Sequence, residues 1–143
     1  MKELKKDNII IKYSETLEEL ALATFDLLKN KKEEYKELFQ NEKEEIEVNY
    51  FDEIEEFRSF IKKLRNKDDS LPEYATGTFD NDMVNAYINP KNQMQRIFTA
   101  SHELFHIMYK IFILNDDYSK RIVWYDEGMA QFMSGEKDKI KTE

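Results

Sequence analysis

Two short stretches of the chain alternate between apolar and polar residues, and between and after them apolar residues recur at helical spacing. From Asn8 to Tyr13, residues Ile9, Ile11 and Tyr13 fall on one side of an extended chain. Glu45 to Phe51 sets Ile46, Val48 and Tyr50 against Glu45, Glu47 and Asn49. A period of two residues marks a strand, and the second stretch reads as half-buried. Between them Leu17, Leu20, Ala21, Thr24, Phe25, Leu28, Tyr35, Leu38 and Phe39 predict a long amphipathic helix to about Gln40. Thr16 followed by Glu19 reads as its capping box. Asp52 with Glu55 opens a second helix whose inner stripe is Ile54, Phe57, Ile61 and Leu64, and the polar stretch Asn66 to Pro72 ends it.

Tyr74 to Phe79 and Met83 to Ile88 flank Asp80-Asn81-Asp82 and predict a β-hairpin, closed by Pro90. Lys91 to Leu114 holds a helix apolar nearly all round, carrying Met94, Ile97, Phe98, Leu104, Phe105, Met108, Ile111 and Phe112. Such a helix belongs at the centre of a fold. Asn115 to Tyr118 reads as a turn, and Lys120 to about Ser134 as a last helix stopped near Gly135. The order β-α-β-α-β-β-α-α predicts an α+β fold with a small mixed or antiparallel sheet, in one domain spanning residues 1–143.

Composition narrows the partners. With 22 basic and 30 acidic residues the formal net charge is −8, which argues against nucleic acid and against an anionic membrane surface as partners. The charge runs Lys31 to Glu34 and Glu42 to Glu45 read as solvated helix faces. There is no cysteine, so a metal would have to be held by histidine and carboxylate. The apolar run Ile9 to Ile11 is too short for a signal-peptide core or a membrane span, and the expected location is the cytoplasm.

The central helix contains His102-Glu103-Leu104-Phe105-His106. Residues four apart on a helix lie one turn up the same face, so the two imidazoles can converge on one ion. Glu103 stands about 100° round from His102, where it can reach a water on that ion without ligating it, the position of a general base. Two structural histidines on a core helix are the plainer alternative. Against it, the chain has two histidines and both fall in this motif, in apolar surroundings that would leave buried polar groups in need of a partner. A catalytic zinc takes three protein ligands and keeps one position open. The candidate third ligand is Glu127, in Trp124-Tyr125-Asp126-Glu127-Gly128-Met129-Ala130. The chain between His106 and Glu127 is long enough to finish one helix, turn and run back along it. Gly128 and Ala130 would let the helices approach closely. The alternative for Glu127 is a surface carboxylate on an acidic protein. Gln131, one turn further on, with Asp126 or its carbonyl, is the candidate for orienting the ligands.

HELFH followed by WYDEGMAQF resembles the gluzincin metallopeptidases, and in length and order the compact peptidase-MA-like proteins and minigluzincins. The close likeness spans His102 to Ala130. It implies a zincin-like fold with an active-site helix and a glutamate helix, Zn2+ as cofactor on His102, His106 and Glu127, and Glu103 as catalytic base. It also implies a peptide or unfolded protein as substrate, paired along Met83 to Ile88 as the sheet edge. Two features depart from the larger relatives. The stretch DNDMVNAYIN lacks the glutamate with which aminopeptidase N-like enzymes hold a free amino terminus. No Tyr or His follows Glu127 to stabilise an oxyanion, which leaves Tyr87, Tyr109, Tyr118 and Tyr125 as substitutes. The short segment after Glu127 implies an open cleft and weak endopeptidase activity, unless a homodimer contact, a partner or a further segment supplies the missing wall. A regulatory protease of the ImmA/IrrE type also carries HExxH, although the EG-x-A context around Glu127 favours the gluzincin likeness. A non-catalytic, zinc-stabilised binding module is the alternative from another class.

Overall fold

The computed structural model describes residues 1–66, 71–72, 75–117 and 123–135, and of 123–125 the backbone alone. Among the described residues five strands form one mixed sheet: β1 (Lys2–Lys6), β2 (Ile9–Tyr13), β3 (Ile46–Phe51), β4 (Gly77–Thr78) and β5 (Val84–Tyr87), in the order β1-β2-β3-β5-β4. β2, β3 and β5 run parallel at the centre, and β1 and β4 flank them antiparallel. Helix α1 (Glu18–Phe39) links β2 to β3, and α2 (Ile54–Arg65) follows β3. Helices α3 (Thr99–Phe112) and α4 (Val123–Ser134) come after the sheet. The α+β class and the mixed sheet agree with the sequence reading.

The parallel centre accounts for one correction. β3 is not half-buried: Val48 and Tyr50 are buried on one face and Asn49 and Phe51 on the other. Strands in the middle of a parallel sheet are covered on both sides. The Val48 and Tyr50 face joins Ile9, Ile11, Val84 and Ala86 in a core with α1 and α3. Phe51 and Tyr87, one residue out of phase, pack on the opposite face with Phe57, Ile61 and Leu64 of α2.

β1 escapes the pattern reading because KELKK has no run of apolar residues. Its hairpin turn, Asp7-Asn8, has both φ values positive (56° and 64°), the conformation a two-residue hairpin turn requires. In the predicted hairpin after α2, the first strand shrinks to Gly77–Thr78, and residues 73–74 lie outside the described residues. Lys91 to Arg96 forms 3-10 turns rather than the start of α3. Leu114 and Asn115 leave α3 through the expected turn, whose residues 116 and 115 also have positive φ. The predicted start of the last helix, at Lys120, falls among residues that are not described.

The capping box at Thr16 does not form. Thr16 Oγ1 donates instead to Asp52 Oδ2 at 2.7 Å. The orphan N–H of Leu20, in the first turn of α1, is taken by the side-chain carbonyl of Gln93 at 2.9 Å, while Gln93 Nε2 donates to the Thr16 and Pro90 carbonyls. A residue 73 positions away therefore caps α1. At the far end of the fold α4 closes on Gly135, whose φ of +106° and contact with Phe98, 2.8 Å from a would-be Cβ, both demand glycine. Among the described residues no helix is long and apolar enough to cross a membrane.

Candidate metal centre

Helix α3 packs between the sheet and α4. Leu104, Phe105, Ile107 and Met108 are buried, and the face carrying His102 and His106 turns toward α4 and β4. Ala130 of α4 is fully buried in the same core, so α4 comes close at that point, as its small side chain allows. Gly128 plays no such part: it is exposed, and a Cβ there would meet nothing within 4 Å.

The packing brings together the three residues expected to hold a metal. His106 Nε2 lies 3.1 Å from His102 Nε2 and 3.1 Å from Glu127 Oε1, and His102 Nε2 lies 3.6 Å from Glu127 Oε2. One ligand atom from each residue falls within 4.8 Å of the others. Ligands at zinc distance from a tetrahedral ion stand about 3.4 Å apart, so the spacing suits one ion. Donor chemistry points the same way. His106 Nδ1 lies 2.8 Å from Oδ1 of Asp126, which has no solvent exposure. A carboxylate there accepts a hydrogen bond from Nδ1–H, an arrangement that leaves Nε2 to face the cleft. Two imidazole nitrogens and a carboxylate oxygen face one point, and a cation satisfies all three.

Of the two sequence candidates for orienting the histidines, Asp126 is the one in hydrogen-bond contact with His106. Gln131 is not: its side chain is exposed, and its backbone carbonyl accepts from Ser134 Oγ. On α4 the residue next to Glu127 is rotated about 100° toward α3, whereas the residue a turn away follows the helix rim outward.

Glu103 is half-buried and sits against β4, its Oε1 3.6 Å from where a Cβ of Gly77 would stand. Burial pushes its carboxyl above the ordinary range; His106 and His102 pull it partway back, and the Glu127 carboxylate adds to the rise. Phe79, which the sequence reading passed over, stacks on the His106 ring at 5.5 Å and 26°. Nothing in the spacing of Phe79 sets it apart from a core aromatic. A cleft of about 510 Å³ runs past His102, Glu103, His106 and Glu127 and is bounded on the other side by Leu71, Ala75 and the 77–81 segment. That volume is within the range of small-ligand and peptide sites.

The expected substrate edge needs correcting. β5 lies inside the sheet between β3 and β4, so the edge beside the site is β4. Of the tyrosines considered for an oxyanion, Tyr109 is buried and stacked on Phe105, and Tyr87 packs with the α2 cluster. The side chains of Tyr118 and Tyr125 lie outside the described residues. Compared with models of protein families, with curated proteins and with solved structures, the chain gives no match.

Proposed function

We propose that this protein is a zinc-dependent peptidase of the gluzincin type on a zincin-like fold, acting as an endopeptidase of low turnover on extended, unfolded peptides. The observation that carries the reading is the convergence of His102, His106 and Glu127 on one point with the Glu103 carboxylate beside them in the same cleft. Zinc bound there would supply Lewis acidity, bringing the pKa of a water toward about 7 and polarising a carbonyl. Glu103 accepts the proton of the attacking water at its carboxylate and returns it to the nitrogen of the leaving amine. Its raised proton affinity eases the first transfer, and burial keeps the carboxyl ready for the second. Asp126 holds His106 in one tautomer, and Phe79 shields the ring. The edge of β4 offers main-chain groups to an extended chain.

The absence of cysteine suits a reducing compartment such as the cytoplasm. The low turnover follows from the cleft. Among the described residues its upper side is built from Leu71, Pro72, Ala75 and residues 77–81, while α4 contributes Glu127, whose side chain is 47% exposed. A site open on that side keeps water near the reacting atoms and pre-organises little. The test is metal content and turnover of an internally quenched peptide, for wild type and Glu103→Gln. Zinc should be retained in both and turnover lost in the variant. A zinc-loaded wild type that cleaves no peptide would remove the peptidase reading in favour of a zinc-stabilised binding module.

A further inference from the structure

Three polar side chains form a row across the sheet face opposite the metal group. Asn49 of β3 is paired in register with Asn85 of β5, and Asn85 with Thr78 of β4. Asn85 has no solvent exposure, Asn49 has 3% and Thr78 has 7%. Their neighbours on this face, Phe51 and Tyr87, belong to the apolar cluster under α2. Polar groups buried in such surroundings are costly unless bonded, and Asn85 is fully engaged. Its Oδ1 accepts from Asn49 Nδ2 at 3.0 Å. Its Nδ2 faces Thr78 Oγ1, the Asp80 carbonyl and the Met83 carbonyl, each at 3.2 Å.

Those three acceptors lie at the beginning, middle and end of one turn. The turn holds Asn81 and Asp82 at positive φ (60° and 57°), an arrangement that non-glycine residues need help to keep. From outside it is gripped by Arg65, paired through two nitrogens with Asp80, and by Lys110, whose Nζ is 2.6 Å from Asp82 Oδ1. From inside it is gripped by the Asn85 amide. What hangs on this turn is the upper side of the cleft. Gly77 pairs with Ala86 and faces Glu103 on the α3 side, and Phe79 lies on His106. The metal group itself is carried by α3 and α4, and none of the Asn85 side-chain hydrogen bonds runs to either helix.

We infer that Asn85 is a positioning residue: its buried amide bolts the 78–83 turn to the sheet and so sets where the β4 edge stands over the metal group. The inference rests on the peptidase reading, because an extended chain must use that edge. It separates two properties of the site. Metal binding belongs to α3 and α4, and capture of an extended peptide depends on Asn85.

The experiment uses the zinc-loaded full chain as wild type, Asn85→Asp and Thr78→Val. Asn85→Asp keeps size but loses both donor hydrogens, and Thr78→Val removes one partner with less risk to folding. Zinc affinity is read by competition with a chromophoric chelator, and peptide capture by the dissociation constant of a labelled extended peptide hydroxamate. Turnover of the quenched peptide gives KM and kcat. Zinc affinity should stay within about twofold, while KM and the hydroxamate dissociation constant rise about tenfold in Asn85→Asp and about threefold in Thr78→Val, with kcat nearly constant. Unchanged peptide capture in both variants, with wild type active, overturns the role of Asn85 and leaves the peptidase reading standing. Loss of zinc in step with loss of capture also overturns it, since Asn85 would then support the whole fold. A zinc-loaded wild type that neither cleaves nor binds the peptides overturns both readings together.

Discussion

His106 Nδ1 and Asp126 Oδ1 stand 2.8 Å apart, with side-chain exposures of 3% and 0%. A carboxylate buried in that position is costly unless bonded, and the imidazole N–H of His106 is a partner for it. The pair therefore ties α4 to α3 and decides which nitrogen of His106 faces the cleft. Asp126→Asn keeps the shape but removes the charge, and zinc affinity should fall by about 10- to 100-fold. Gln131→Ala, on the same helix but facing solvent, should leave it unchanged. Chelator competition on both variants decides between them, and equal affinities would show that the carboxylate does not tune the ligand.

The convergence of His102, His106 and Glu127 predicts one zinc per chain. Replacing any of the three with Ala should remove the metal and abolish the rise in Tm on adding zinc. At a free zinc concentration about 100 times Kd, that rise corresponds to roughly 2.7 kcal/mol in the wild type. Metal analysis with calorimetry provides the check. Full occupancy in Glu127→Ala would take that residue out of the ligand set.

Glu103 gives the metal-free protein a pH signature. Its folded carboxyl is raised from the ordinary value of 4.5, first by burial. The folded chain thus holds this proton more tightly than the unfolded chain does. The group's contribution to stability is fully present below 4.5 and is lost as pH rises through the folded value. Glu103→Gln cannot lose a proton, so its stability relative to wild type should increase across that window. Denaturant midpoints measured in chelator from about pH 4 to about pH 8 test this. A difference that does not vary with pH would mean that burial leaves Glu103 untouched.

Gln93 supplies a prediction about the fold alone. Gln93→Ala leaves the Leu20 N–H without its acceptor and should cost about 1–2 kcal/mol. Thr16→Ala breaks an exposed bond to Asp52 and should cost less, about 0.5 kcal/mol. Urea denaturation of the two variants compares them. The reverse order would restore Thr16 as the cap.

What could be read from the sequence follows from how local each signal is. His102, Glu103 and His106 lie within one helical turn and a half, so their relation is fixed once α3 is recognised. Glu127 and Asp126 were reachable because a second helix had to run back along the first. The Gln93 cap bridges 73 positions, and no local pattern contains it. β1 was missed for a related reason: four of its five residues are exposed and only Leu4 packs on the core, so it carries no apolar period, and it exists because β2 offers it a ladder. Asn49 read as the outer side of a half-buried strand, yet the structure sets it in a buried polar row with Asn85 and Thr78. It became an inner feature because α2 covers that face.

The two rims of the sheet present different prospects to a passing chain. On the far rim, β1 displays Lys2, Lys5 and Lys6, all exposed. A second copy docking there edge to edge would bring together three lysines and one glutamate from each strand, and that net like charge discourages stacking of folded molecules. The opposite rim, at β4, offers two residues of strand beside the cleft. The lysine-rich strand thus acts as a guard: self-association through the sheet is penalised on one rim, and among the described residues the other rim is the one beside the cleft.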